Sequence, residues 1–360
     1  MKFIHIADVH LGAIPDSNMP WAKERQKEIW EGFKNIITVC NEEKTDLLLI
    51  AGDLFHKQPL IRELKEVNYL LSTLKTAKVV MMAGNHDYIG IRSNYRGFEW
   101  DERVHMFLED TMEAVELPEM NTFVYGLSYL TRDITEPRYD KIDVSRENGI
   151  QILLAHGGDE KNIPINRNKL LNSGFDYIAL GHIHKPEIIS NRMAYAGSLE
   201  PLDRNETGQR GYIIGEIRTD GKRQTDIRFI KSSHREYKKL TVTVNQDTTN
   251  GALVDQIKDM IRKEGDNHIY QINIEGFRDE DIRFDKTAIY PLGNILEVTD
   301  ESVPDYDFDT LFRENSDNII GLFIKRIRDA EKQDTISRKA LYYGTQALLE
   351  SVQRDSHRTI

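Results

Sequence analysis

Leu47-Leu48-Leu49-Ile50-Ala51-Gly52-Asp53-Leu54-Phe55-His56 is the stretch whose reading decides the fold. Five apolar residues run straight into a glycine, an aspartate and, three positions on, a histidine. A short continuous apolar run bounded by a turn signal predicts a strand buried on both faces. Such strands belong to α/β sheets, whose ligands bind just beyond the carboxyl ends of the strands. Gly52 lets the backbone turn sharply there. Asp53 then stands at the strand tip with its carboxylate free to act.

The same pattern recurs. Phe3-Ile4-His5-Ile6-Ala7 ends in Asp8 and His10. Val79-Val80-Met81-Met82-Ala83 ends in Gly84-Asn85-His86-Asp87. Ile150-Gln151-Ile152-Leu153-Leu154-Ala155 ends in His156-Gly157, and Tyr177-Ile178-Ala179-Leu180 ends in Gly181-His182-Ile183-His184. A single polar residue at a strand end reads as a helix cap or a turn residue. Here five strands end this way, and six of the 11 histidines fall at their tips. That concentration predicts a site.

The 360 residues are long for one domain and predict two. A net charge of -11 argues against a protein that coats DNA by charge alone. It leaves room for an enzyme whose bound cations reverse the local field. Cys40 has no partner thiol, so no internal disulfide is expected, and a cytoplasmic location follows from that. Its place on an apolar helix face makes it a buried small hydrophobe. No apolar run approaches about 18 residues, so no membrane span is expected. The first strand begins at the start of the chain, which predicts no signal peptide.

Between the tips the period changes. Ile29, Phe33, Ile36, Ile37 and Cys40 form one helical stripe, and Leu64, Val67, Leu71 and Leu74 form another. Strand–helix–strand units of this kind predict a parallel sheet with right-handed crossovers. Residues 88–106 have no clean period and read as a long loop or broken helix. Their aromatic residues either serve the site or seal a sheet edge. A strand is expected at 123–127. Residues 193–230 read as a run of strands that forms a second β-layer.

The chain is expected to divide into 1–233, 234–303 and 304–360. The middle part alternates strand and helix (239–244, 252–261, 268–274, 295–298), a small α+β module. The last part opens on Asp305-Tyr306-Asp307-Phe308-Asp309. A helix with Ile319, Ile320, Phe323, Ile324 and Ile327 on one face follows, then one with Leu341, Leu348, Leu349 and Val352. These late helices either fold back on the chain or dock on a partner.

Seven tip residues can ligate a metal: Asp8, His10, Asp53, Asn85, His156, His182 and His184. Carboxylate, amide and imidazole without thiolate suit Mn²⁺, Fe²⁺ or Zn²⁺. Seven ligands are too many for one ion and about right for two, with Asp53 central enough to bridge them. His86 stands apart. It can orient a scissile phosphate or protonate a leaving alkoxide. Asp87 is expected to hold the His86 ring in one tautomer.

Asp8-x-His10, Gly52-Asp53-x-x-His56, Gly84-Asn85-His86-Asp87, His156-Gly157 and Gly181-His182-x-His184, in this order, resemble the calcineurin-like metallophosphoesterase superfamily. Gly52-Asp53-Leu54-Phe55-His56 is similar to its DNA repair exonuclease branch, the SbcD-like and YhaO-like proteins and the meiotic-recombination nuclease. Ile6-Ala7-Asp8-Val9-His10-Leu11-Gly12 and Ala196-Gly197-Ser198 share that likeness. The resemblance implies an α/β fold, a four-layer αββα sandwich with a small α+β cap that binds DNA and a helical C-terminal tail. It implies two Mn²⁺ ions, with Fe²⁺, Zn²⁺ or Mg²⁺ as alternatives. One ion would take Asp8, His10, Asp53 and His184; the other would take Asp53, Asn85, His156 and His182. His86 would be the catalytic histidine, with His56 arranging phosphate. The implied partners are DNA, a coiled-coil ATPase of the SbcC type bound by the tail, and a second copy of the chain. The implied activity is that of a two-metal DNA exonuclease or endonuclease in a double-strand-break repair complex. Two rivals stand beside it: a phosphodiesterase of the same superfamily acting on a small nucleotide, and a scaffold for an ATPase. A protein phosphatase would carry Asp-Arg-Gly soon after Asp53 and Glu in place of Asp87, and this chain has neither.

Overall fold

In the computed structural model, which describes residues 1–140, 142, 144, 149–221, 223–329 and 335–356, the run 47–51 is a strand with every residue buried. It alternates with its neighbours as expected: β1 (Lys2–Ile6), α1 (Ala22–Glu42), β2 (Leu47–Ala51), α2 (Ile61–Ser72) and β3 (Lys78–Met82). β1, β2 and β3 pair in parallel. The reason for a continuous apolar run is visible in its two faces. Side chains alternate across a strand. Leu48 and Ile50 pack under Ile29, Phe33, Leu64 and Val67 of the helices. Leu47 and Leu49 pack the other way, with Val124, Ile152 and Leu154 of a second sheet. Leu74 lies past the end of α2 yet remains buried.

The segment 88–106 departs from the expected loop. It holds a short 3₁₀ turn, Asn94–Gly97, and ends in β4 (Val104–Met106), which extends the sheet from β3. Three residues are too few to show a period. β5 (Glu113–Leu117), β6 (Thr122–Gly126), β7 (Ile150–His156), α3 (Arg167–Asn172), β8 (Tyr177–Gly181), β9 (Glu187–Ser190) and β10 (Met193–Tyr195) follow. Their strands form the second sheet, in the order β5-β6-β7-β8-β10-β9. Its outer face buries Leu153, Ile178 and Leu180 with Leu170 of α3. The layers are therefore helix, sheet, sheet, helix.

The expectation that 193–230 builds the second layer is corrected. β11 (Gly211–Arg218) and β12 (Gln224–Lys231) join the first sheet, where β11 runs antiparallel to β1. Only β10 belongs to the second. The register Phe3↔Gly215 and His5↔Ile213 decides this. Ile213 and Ile217 then fall into the core between the sheets.

Contacts divide the chain into 1–237 and 238–360. Residues just before the division are tied to the first unit. Arg235 Nε donates to Glu28 Oε1 at 2.7 Å, the backbone N–H of His234 to Glu200 Oε1 at 2.7 Å, and the Tyr237 hydroxyl to Asp16 Oδ2 at 2.8 Å.

The second unit starts in β13 (Tyr237–Val244) and continues through α4 (Asn250–Glu264), β14 (Ile269–Arg278), β15 (Asn294–Asp300) and β16 (Val303–Pro304). β14 lies between β13 and β15 and also pairs with β16. Val242, Leu253, Ile257, Ile261, Tyr270 and Ile272 form its core. Thr249 caps α4 by accepting the Ala252 N–H. Three helices end the chain: α5 (Phe308–Glu314), α6 (Ile319–Arg328) and α7 (Thr335–Ser356). Ile320 and Ile324 of α6 are buried with Tyr306 and Phe308, and Leu341, Tyr342, Leu348 and Leu349 of α7 pack against them. A Cβ added at Gly344 of α7 would overlap the Phe323 ring. The helices fold back on one another, so the core of the stripe is not a free docking face. Ile319 lies outside this cluster and is exposed. The Val352 side chain lies outside the described residues. Ile324→Ala should destabilise this helical layer by about 2–5 kcal/mol, the usual range for truncating a buried isoleucine. Amide exchange of α6 and α7 reads this, and unchanged protection would place Ile324 outside the core.

No helix among the described residues is long and apolar enough to cross a membrane.

Candidate metal centre

Parallel pairing sets the carboxyl ends of β1, β2 and β3 side by side. The pairing continues beyond the strands: Asp8 N–H donates to Gly52 O at 3.2 Å and His10 N–H to Asp53 O at 3.0 Å. The second sheet meets the first here. Gly157 N–H donates to Gly181 O, and His156 Nδ1 lies 2.9 Å from Ala51 O. The approach leaves no room for side chains. A Cβ at Gly181 would overlap the Ala51 carbonyl oxygen, and one at Gly84 would overlap Asp53 Oδ1.

Four tip residues have left-handed backbone: Asp8 (φ 50°), His10 (53°), Asp53 (50°) and His182 (93°). Each such conformation costs on the order of 1–3 kcal/mol and persists only where the surroundings enforce it. Here the hydrogen bonds between tips enforce it.

The side chains converge in two groups. In the first, His10 Nε2 faces His184 Nε2 at 3.1 Å, and Asp8 is within reach of both. In the second, Asn85 Oδ1 lies 2.9 Å from His156 Nε2 and 3.1 Å from His182 Nδ1. Asp53 stands between them, its Oδ2 3.7 Å from His10 Nε2 and 3.5 Å from His156 Nε2. Asp8 also comes together with Asp53 and His156.

Carbonyl and carboxylate oxygens only accept, so they settle which nitrogen of each ring carries hydrogen. Ala51 O takes the proton of His156 Nδ1, which leaves the Nε2 lone pair facing Asn85 Oδ1. Asp159 Oδ2, 2.7 Å from His182 Nε2, leaves Nδ1 as a lone pair. Glu206 Oε1, 2.6 Å from His184 Nδ1, leaves Nε2 as a lone pair. Acceptor atoms thus point at acceptor atoms around Asn85, and in the other group the His184 Nε2 lone pair faces His10 Nε2. Only a proton or a cation between them makes that arrangement favourable, and oxygen and nitrogen donors of this kind suit a divalent first-row metal.

The electrostatics agree. Burial pushes Asp8 up to about 6, and the Asp53 charge adds to this against the pull of His184 and His156. Asp53 is held well below the usual carboxylate range despite its burial, because His156 and His10 surround it. Burial works against protonated His156, yet Asp53 raises it to about 9. Burial drives His10 well below its ordinary value. Charge on Asp53 and positive charge on His156 thus favour each other.

His86 and His56 lie at the rim. Their rings stack with centroids 5.4 Å apart, and the edge of His10 meets His86 at 4.7 Å. These three histidines could also gather around one ion. His86 backbone N–H donates to Asp53 Oδ1 at 2.8 Å, and its Nδ1 lies 3.3 Å from His56 O. That carbonyl places the ring proton on Nδ1 and leaves Nε2 for a ligand. His56 Nδ1 lies 3.3 Å from His10 Nδ1.

The expectation that Asp87 holds the His86 ring is corrected. Asp87 is fully buried and accepts hydrogen bonds from Gly84 N–H (2.8 Å), Phe55 N–H (3.2 Å) and Tyr95 O–H (2.8 Å). It points inward and braces the two loops that carry Asp53 and Asn85, while its neighbour His86 points outward. Two further residues were not anticipated. Asp159 follows the glycine pair Gly157-Gly158 three places after His156, so a turn back to the tip was readable there. Glu206 lies in the long connection between β10 and β11, and nothing local marks it.

A family model for calcineurin-like phosphoesterase matches residues 1–186. The chain is similar to the uncharacterized metallophosphoesterase YhaO of Bacillus subtilis, with 27% identity over 306 residues, 77% of this chain and 72% of that protein. It is similar to the DNA double-strand break repair protein Mre11 of Aeropyrum pernix, with 30% identity over 241 residues, 58% of this chain and 56% of that one. It is also similar to SbcD of the SbcCD nuclease of Staphylococcus saprophyticus, with 31% identity over 257 residues, 61% and 66% of the two chains. The match spans less than two thirds of the last two proteins.

Proposed function

Because the chain belongs to the calcineurin-like phosphoesterase family, a family of metal-dependent hydrolases, we propose that it cleaves phosphodiester bonds in DNA with two divalent cations held at its strand tips. The observation that carries this reading is the pair of convergent ligand groups, His10 Nε2 with His184 Nε2 and Asn85 Oδ1 with His156 Nε2 and His182 Nδ1. One ion would take Asp8, His10, Asp53 and His184; the other would take Asp53, Asn85, His156 and His182. The ligand set suits Mn²⁺, Fe²⁺ or Zn²⁺; the family resemblance favours Mn²⁺, with Fe²⁺, Zn²⁺ and Mg²⁺ as competitors. When bound, such a pair supplies Lewis acidity and a water of lowered pKa.

The chain's own residues do the rest. With both ring nitrogens protonated, His86 gives its Nε2 proton to the leaving oxygen and keeps its Nδ1 proton on the His56 carbonyl. His56, with its Nδ1 against His10, steadies the phosphate. Asp87 keeps both loops in place through Tyr95 and the backbone. DNA as substrate is supported by the likeness to Mre11 and SbcD, whose names state break repair and nuclease. The SbcCD subunit's name supports a partner of the SbcC ATPase type, and to this the proposal adds a second copy of the chain as dimer partner and the division into nuclease (1–233), DNA-binding cap (234–303) and docking tail (304–360). With the core of the α6 stripe covered by α7, docking falls to the other faces of the tail.

The test is the purified chain with Mn²⁺ against single-stranded DNA, double-stranded DNA and a small phosphodiester, with and without excess chelator. Cleavage of DNA that chelator abolishes is expected. Cleavage undiminished in chelator would overturn the two-cation reading, and cleavage of the small ester alone would favour the nucleotide phosphodiesterase.

A further inference from the structure

Asp159 and Glu206 lie outside the seven residues supplied by the strand tips, and each meets one imidazole. Asp159 Oδ2 takes the Nε2 proton of His182 at 2.7 Å. Glu206 Oε1 takes the Nδ1 proton of His184 at 2.6 Å. The two histidines are two positions apart, yet they are turned to present opposite nitrogens. His182 offers Nδ1 to the group around Asn85, and His184 offers Nε2 to the group around His10.

Both carboxylates are themselves held. Asp159 Oδ1 accepts the backbone N–H groups of Lys161 and Asn162, each at 2.8 Å, and Asn162 Nδ2 at 3.2 Å. Glu206 Oε2 accepts the Leu202 N–H at 2.9 Å and lies 3.8 Å from Arg210 Nε. In each case one oxygen is clamped by its own loop and the other aims the ring. A carboxylate behind a ligating histidine fixes its tautomer and raises its basicity, and losing it usually weakens metal binding by about 10–100-fold.

We propose that Asp159 and Glu206 are positioning residues, each dedicated to one of the two cation pockets: Asp159 to the one around Asn85, His156 and His182, Glu206 to the one around Asp8, His10 and His184. This rests on the two-cation reading above. The supports come from separate loops, one after β7 and one between β10 and β11. Each pocket can therefore be weakened without disturbing the other. Glu206 is the more enclosed, with its side chain 16% exposed against 49% for Asp159. Less solvent screens it, so its loss should have the larger effect.

The experiment strips the full chain with chelator and titrates it with Mn²⁺ by calorimetry, alongside ¹⁵N spectra of the histidine rings. Wild type should take up two ions. Asp159→Asn and Glu206→Gln keep shape and remove charge. Each should weaken one binding step by about 10–100-fold and leave the other unchanged. In the metal-free protein, Asp159→Asn should shift only the His182 ring signals and Glu206→Gln only those of His184. Asp159→Glu and Glu206→Asp restore the charge and should recover part of the affinity. Variants that bind both ions with wild-type affinity, or that weaken both steps together, would overturn the assignment while the two-cation reading stands. A wild type that takes up no Mn²⁺ would overturn that reading and this inference with it.

Discussion

Asp53→Ala loses both cations and falls to the hydrolysis seen in excess chelator. The Asp53 carboxylate stands between the two convergent sets, 3.7 Å from His10 Nε2 and 3.5 Å from His156 Nε2. Without it, the cations lose the ligand they would share. Asp53→Asn separates charge from shape. It keeps an oxygen for the His86 N–H, which Asp53 Oδ1 now accepts at 2.8 Å, and should still lose the metals. Metal content by elemental analysis and cleavage of a small phosphodiester read the result. A full complement of metal in Asp53→Ala would move the bridging role to Asp8, which also lies within reach of His156.

His86→Ala should behave differently: both cations stay and turnover drops by about 10²–10⁴, the usual contribution of a general acid. The contact of His86 with the centre runs through its backbone N–H, which alanine retains. Its ring is tied to the His56 carbonyl through Nδ1, so only Nε2 is lost to the substrate. The stacked His56 ring remains to receive phosphate. Metal content and turnover must be measured on the same preparation. If His86→Ala also empties a site, then His86 belongs to an ion with His10 and His56, which lie close enough to form one.

What could be read beforehand follows from how each feature is encoded. Strands buried on both faces write themselves as continuous apolar runs, so β1, β2, β3, β7 and β8 and the residues at their tips were legible. The short strands β4, β5 and β9 at or near sheet edges were not, because a few half-exposed residues show neither a run nor an alternation. The pairing of β11 with β1 joins residues some two hundred positions apart, and no local pattern marks it. At the site, the residue types at the tips were readable, but their orientation was not. His86 and Asp87 are neighbours that face opposite ways, one to the rim and one to the core. Glu206 reaches His184 only because a long connection folds back.

The joint between the two sheets has a further consequence for how variation at this site should be interpreted. At Gly84 and Gly181 the missing side chain is occupied by Asp53, His156 and the Ala51 carbonyl. Folding and chemistry therefore select on the same few atoms. In a library that randomises these two positions, glycine should be recovered even in a host whose Asp53 is already replaced and which cleaves nothing. A survey of tolerated substitutions would then score them as strictly as the ligands. Only a screen for folded protein, run beside a screen for activity, would tell the hinge pins of the sandwich from its reactive groups.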